Sequence, residues 1–360
     1  MHDVNYTLWI ARLVGAGAGI AIAIGMCWLL AGREYPKHMS SQTFGWAALA
    51  ILWALGGYAL ASRYVLGLGA VTHLSDRFPW GVWKALVLCG IAFAAGGFLT
   101  ACSVYIFRVR AFYPILRPVV LAAYLGYMLS ASGSLIVDLG RYHQIWRPIF
   151  FWQHHSVLFE VSWCVMLYTG VLTIEFAPIL LEKLGWHRAE KIVHTCTVPF
   201  VICGVILSTL HQSSLGSLFL IVPNKLLLLW YTPLLPVLFF CSALVSGFAM
   251  AIAVSTLSFW IFQKSLPTRV TISLIKGMVP VLVTYLFLRV IDLTARNAWV
   301  YAFEYPLQSF TFFAEMLLLT LPIFIVLRPR WIGARLVEFL AAASVVAGGT
   351  LNRQIGRAHV

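Results

Sequence analysis

Six of the twelve carboxylates in this 360-residue chain stand inside or at the ends of long apolar runs: Asp138, Glu160, Glu175, Asp292, Glu315 and Glu338. An ionisable group at mid-membrane costs about 2.5–3.5 kcal/mol on insertion scales, so such positions are candidates for function by default. Glu160 and Glu175 share one run. Their spacing corresponds to about 22 Å along a helix and about 60° around it, which puts both on one side at different depths. A carboxylate alternates between charged and neutral forms, so two of them placed this way suit a proton route. Hydrogen bonding from a neighbouring helix, with no proton traffic, is the competing reading.

A second set gathers at the ends of apolar runs. It comprises Asp138-Leu-Gly-Arg141-Tyr142-His143, His154-His155 and His211-Gln212-Ser213-Ser214. A carboxylate, an Arg, a Tyr and a His can together hydrogen-bond the carbonyls of a quinone and supply its protons. Histidine titrates near neutrality and suits that task. Polar capping at a membrane interface is the alternative, strongest for an isolated Asp138 or His143. Arg289 and Asp292 stand three apart, a spacing that allows an ion pair over one helical turn, with a packing role. Glu315 and Glu338 can extend a proton route.

The elements that must carry these residues follow from composition. The chain is 61% apolar and 10% charged, against about a quarter charged for an ordinary soluble domain. That excludes a soluble enzyme, a disordered chain and a disulfide scaffold, and indicates an all-α polytopic membrane protein. A spanning helix needs about 20 apolar residues. Ten runs qualify: 8–31, 44–67, 82–107, 115–139, 156–181, 192–213, 232–263, 271–295, 306–327 and 333–351. Loops after the odd-numbered spans hold thirteen Lys and Arg, the opposite loops five. The first set is therefore expected in the cytoplasm and the N-terminus outside. The net charge of +13 is spread over these loops and is no nucleic-acid footprint. The outer loops are aromatic, as interfacial belts or a docking surface would be. The seven cysteines form no CxxC pair, which argues against a cysteine-held iron–sulfur cluster or zinc site. Within spans only His194 and His211 are available as axial ligands. Both fall on the sixth span, about 25 Å apart, so a haem-free chain is expected. The glycines of Ala94-Ala-Gly-Gly97 permit close helix contact.

The stretches Arg63-Tyr-Val-Leu-Gly-Leu-Gly69, Phe78-Pro-Trp-Gly-Val-Trp83, Asp138-Leu-Gly-Arg-Tyr142, Ser156-Val-Leu-Phe-Glu160, Glu175-Phe-Ala-Pro178, Leu184-Gly-Trp186 and Leu210-His-Gln-Ser-Ser-Leu-Gly216 keep an order that resembles the NrfD/polysulfide-reductase family of membrane subunits. Within it, the HybB branch of NiFe-hydrogenase membrane subunits is most similar. The resemblance implies two four-helix bundles with peripheral helices, and a haem-free subunit in a bacterial or archaeal cytoplasmic membrane. It implies electron exchange between menaquinone or ubiquinone and a periplasmic iron–sulfur partner, a NiFe hydrogenase in that branch. Quinone contact then falls to Asp138, Arg141, Tyr142 and His211, and proton transfer to Glu160, Glu175 and His211.

The family-like domain is expected over 41–353. Residues 1–40 add a helix that the resemblance does not cover, and 354–360 read as a non-native tail on a shortened C-terminus. An ion-coupled transporter or a passive membrane anchor would use the same buried carboxylates differently, or not at all.

Overall fold

The computed structural model describes residues 40–353 except 73, 76–79, 329 and 332. The expected span 8–31 and the 354–360 tail lie outside the described residues. Ten longer helices follow in order among the described residues. They are α1 (Ser40–Leu66), α2 (Val82–Tyr105), α3 (Arg110–Asp138), α4 (Val157–Leu184), α5 (His187–Thr195), α6 (Thr197–Leu220), α7 (Leu235–Ile261), α8 (Thr268–Ala295), α9 (Pro306–Val326) and α10 (Arg335–Arg353). Eight of them, all but α5 and α10, are long and apolar enough to cross a membrane, and the chain is a multi-pass integral membrane protein. The tenth expected span is a helix, α10, but it carries Arg335, Glu338 and Arg353 and is not among the eight that are apolar enough to cross.

The chain divides into two compact units. The first contains α1 and the segment Val137–Tyr142; the second contains Trp80–Ile136 and the chain from His143 onward. In the first, α1 exposes Ile51, Leu52, Trp53 and Leu55, an apolar surface suited to lipid.

In the second unit the core divides by depth along the helices. One cluster takes Val87 to Phe98 of α2, Leu235 and Phe239 of α7 and Leu293 of α8. The other takes Ala101 and Val104 of α2, Val245 to Ile252 of α7 and Val270 to Tyr285 of α8. Helix α7 packs against α2, α3, α6, α8 and α10 and contributes to both clusters. The approach of α2 to α7 requires glycine. A Cβ on Gly96 would stand 2.6 Å from the carbonyl oxygen of Gly247, closer than any side chain tolerates.

Three departures from regular α-helix shape the site. Residues Tyr127–Gly133 of α3 form a π-helical stretch, which moves Tyr127 and Ser130 out of the α-helical phase. Helix α4 stops at Gly185, whose φ of +72° closes the last turn in the left-handed region that glycine adopts freely. The residues expected as one span over 192–213 are two helices. The short amphipathic α5 ends at Cys196, and α6 continues to Leu220. The Ser213-Ser214 pair does not end α6. The Ser214 hydroxyl donates to Leu210 O at 2.8 Å and that of Ser217 to Ser213 O at 3.1 Å. Hydroxyls satisfied inside their own helix need no helix end.

Candidate functional site

In the first unit, Arg63 of α1 is the organising side chain. Its Nε donates to Val137 O at 2.6 Å and its Nη2 to Leu139 O at 2.5 Å. These are carbonyls at the end of α3, where a cation also meets the negative end of the helix dipole. The guanidinium lies 5.3 Å from the centroid of the Tyr64 ring and 5.7 Å from that of Tyr142. The two rings meet edge to face at 4.7 Å. Tyr142 is thereby placed by Arg63 and Tyr64. Asp138 ends α3 and is half-buried, and Arg141 is exposed in the turn that follows. Sequence reasoning used Arg63 only as part of a motif. Its signal was a charge inside an apolar run, beside a tyrosine.

In the second unit, His211 is fully buried and neither ring nitrogen has a protein partner. Its ring meets Tyr168 at 5.7 Å and Tyr127 at 6.5 Å, both edge to face. The sequence placed His211 at a helix end. It sits about two and a half turns inside α6, because that helix runs on to Leu220. Tyr127 belongs to the π-helical stretch and donates to Val165 O of α4 at 3.4 Å. A histidine with two open nitrogens among tyrosines can donate to a carbonyl oxygen or pass a proton to it.

Glu160 lies in the first turn of α4, after the Ser156 cap, whose hydroxyl accepts from Phe159 N at 3.4 Å. The Ser214 hydroxyl of α6, its single proton shared with Leu210 O, also reaches Glu160 Oε1, while Glu160 as a whole remains exposed. Glu175 differs. It is half-buried, and neither of its carboxylate oxygens, both out of solvent reach, has a partner. It lines a cavity of about 110 Å³ with Tyr105, Arg117, Pro178, Glu182 and His194. Pro178 has no N–H, so the Ile174 carbonyl on the same turn gets no helical bond from it. Arg117 and Glu182 pair at 2.7 Å on the same wall. His194 is exposed on α5, not on the helix of His211.

The Arg289–Asp292 pair expected from the sequence is not the arrangement found. Asp292 accepts from Arg296 Nε at 3.0 and 3.1 Å and from Arg296 Nη2 at 2.5 Å. Arg289 faces Glu315 of α9 at 3.9 Å. Helical side chains lean toward the N-terminus of their helix. Arg296 therefore leans back onto Asp292, while Arg289 leans away from it. Thr232 completes Asp292 with a 2.5 Å hydrogen bond.

Glu315 is almost fully buried and gathers donors from three directions. Trp230 Nε1 reaches Oε2 at 3.1 Å, and Asn352 Nδ2 and the Tyr285 hydroxyl reach Oε1 at 2.9 and 3.4 Å. Glu338 stands apart from this group. It is buried and its Oε1 accepts from Gly333 N at 3.0 Å, a cap on the start of α10. Arg353 and Asn352 were not singled out from the sequence, and Gln212 only as a neighbour of His211. A polar residue near the end of an apolar run reads as a boundary, and only the packing of α10 shows these side chains turned inward.

Residues 70–355 match the family described as "Polysulphide reductase, NrfD". The chain is 33% identical over 297 residues, 80% of its length and 75% of the relative's, to the "Probable Ni/Fe-hydrogenase 2 b-type cytochrome subunit" of Escherichia coli. It is 32% identical over 181 residues, 48% of its length and 42% of the relative's, to the "Menaquinone reductase, integral membrane subunit" of Nitratidesulfovibrio vulgaris. It is 26% identical over 211 residues, 50% and 48% of the two lengths, to a selenate reductase subunit of Mesobacillus selenatarsenatis. A match over this much of the sequence means that the chain belongs to the NrfD family of integral membrane proteins.

Proposed function

We propose that the chain is the quinone-reactive membrane subunit of a respiratory redox complex. It exchanges electrons between a membrane quinone and an iron–sulfur partner on the extracytoplasmic side of the cytoplasmic membrane. A NiFe hydrogenase is the catalytic partner favoured by the similarity to the hydrogenase subunit. Two relatives with menaquinone or menaquinol in their names support the quinone reading.

The observation that carries the proposal is His211. A fully buried imidazole with both nitrogens unpartnered would be a poor choice for packing alone. It fits a quinone carbonyl that accepts its hydrogen bond and takes or returns a proton. The same surroundings do not fit a haem held by two histidines. The ring contacts of His211 are to Tyr127 and Tyr168, and His194 is exposed. The chain is therefore read as haem-free. The Asp138–Arg141–Tyr142 group of the first unit is proposed to meet quinone in its own right. Glu160 and Glu175 are proposed to move protons, with Ser214 orienting Glu160.

The test uses the complex assembled in its native membrane. His211→Ala and, separately, Tyr142→Phe should lower quinone-linked turnover. The catalytic partner's activity with an artificial dye should persist, since chemistry at the far end is untouched. Equal loss of both activities, or no loss of either, refutes the assignment for that residue.

A further inference from the structure

Buried charge in the second unit does not end at His211. The adjacent residue, Gln212, accepts at Oε1 from Arg353 Nη2 of α10 at 3.4 Å. The same nitrogen donates to Phe239 O and to the Ser242 hydroxyl, each at 3.0 Å, and the guanidinium lies 3.9 Å from the Phe239 ring centroid. Asn352, the residue before Arg353, donates to Glu315 and, at 3.2 Å, to the Tyr285 hydroxyl. Polar side chains of α6, α10 and α9 thus lie between His211 and Glu315: Gln212, next to His211, bonds Arg353, and Asn352, next to Arg353, bonds Glu315.

Two features separate this group from ordinary packing. Arg289, Arg353 and Glu315 are each no more than 3% exposed, and Arg289 faces Glu315 at 3.9 Å, so ionisable groups of both kinds lie in the interior. An apolar set of similar volume would pack at lower cost. The group also retains open donors: Gln212 Nε2, Arg353 Nη1 and Arg289 Nε and Nη2 are buried without a hydrogen-bond partner, as are both nitrogens of His211. Polar atoms so placed are satisfied by ordered water or by a ligand.

We propose that Glu315 is a second proton-exchanging carboxylate of the quinone chemistry. It is reached from His211 past Gln212 and Arg353, and it is separate from the Glu160 and Glu175 positions on α4. This rests on the His211 reading above. In quinone reduction, two electrons from the iron–sulfur partner and two protons form two O–H bonds on the quinone oxygens. His211 gives one proton to a quinone oxygen and recovers it, through water, from the Glu315 carboxyl, which becomes a carboxylate. In quinol oxidation the O–H bond breaks, the electrons go to the iron–sulfur partner, and the proton ends on Glu315. Gln212, Arg353 and Arg289 are positioning residues. An arginine keeps its proton, so they orient the path and compensate the charge left on Glu315.

The experiment is redox-difference infrared spectroscopy on the assembled complex in H₂O and D₂O, alongside quinone-linked turnover. The wild type should show a carboxylic C=O band that follows the redox state of the quinone and shifts in D₂O. Glu315→Gln should remove that band and slow turnover about tenfold or more, within the range of general acid–base effects. Glu315→Asp should keep a band at a moved frequency and recover part of the rate. If Glu315→Gln does not assemble, the Asp variant alone decides, through whether its band moves. A band unchanged in either variant overturns the proposal, even where turnover falls, because Glu315 is then only a counter-ion. His211→Ala without effect on quinone turnover removes the underlying reading. His211→Ala with its expected effect, beside an unchanged band in the Glu315 variants, removes the Glu315 branch alone.

Discussion

Arg296 grips both carboxylate oxygens of Asp292 from one turn further along α8, at 2.5 to 3.1 Å. Asp292 is 6% exposed, while the arginine reaches the surface and also donates to Leu228 O at 2.9 Å. The pair thus ties the end of α8 to the loop before α7.

Removing the cation leaves a buried carboxylate with Thr232 as its remaining short contact. Breaking a buried pair costs about 3–5 kcal/mol, and part of that is lost here to solvent at the arginine. Arg296→Ala should therefore destabilise the protein by about 2 kcal/mol, read as a lowered Tm in detergent. Asp292→Asn should cost less, and the double variant should recover part of the loss. Additive losses in that cycle would show that the pair is not coupled.

This pair also marks what could be read from sequence. Apolar runs and their lengths located eight helices that can span, because a spanning helix must satisfy its own backbone in lipid; the run at 333–351 is a helix but does not qualify as a span, and the first, 8–31, lies outside the described residues. The charge pattern identified the ionisable positions. It did not identify their partners. Arg289 and Asp292 have ideal spacing, yet the lean of helical side chains sends each to another residue. The break at Cys196 was hidden because α5 and α6 are contiguous and α5 ends in residues that also suit a span. His211 was chosen for its neighbours Gln212 and Ser214, and the structure gives those same neighbours different tasks, toward Arg353 and Glu160.

Arg63 gives the second prediction. Its two hydrogen bonds to Val137 O and Leu139 O come from a fork that lysine cannot reproduce. A hydrogen bond to a charged group contributes about 1.5–3 kcal/mol. Both Arg63→Ala and Arg63→Lys should loosen the segment that holds Tyr142. Faster hydrogen exchange of the amides at 139–142 should report this in both variants. Wild-type protection in Arg63→Lys would mean that charge alone suffices.

The contact of Gly96 with Gly247 gives the third. A methyl group on Gly96 would meet backbone, which has no rotamer to change. Gly96→Ala should cost about 1–3 kcal/mol, as overpacking does. A Cβ at Gly56 of α1 has nothing within 4 Å, so Gly56→Ala should leave stability unchanged or slightly raised. Thermal unfolding of the two variants side by side checks the contrast, and equal shifts would contradict it.

Glu175 gives the last prediction. Its two oxygens have no partner inside a cavity that also holds Arg117, Glu182 and His194. Among the described residues no donor bonds this carboxylate, in contrast to Glu315 with its three donors. An amide of the same shape should therefore fit with little loss of stability, and Glu175→Gln should assemble with its partners. The amide cannot take up and release a proton. If Glu175 serves a proton route, the variant should be impaired most where protons move against a gradient. In sealed vesicles its turnover should fall more than in detergent, where no potential opposes the protons. An uncoupler should raise its rate by a larger factor than that of the wild type, because it removes the potential that opposes the impaired transfer. A variant that matches the wild type in vesicles, with the same response to the uncoupler, would assign Glu175 to the lining of the cavity. Proton transfer would then have to bypass this end of α4.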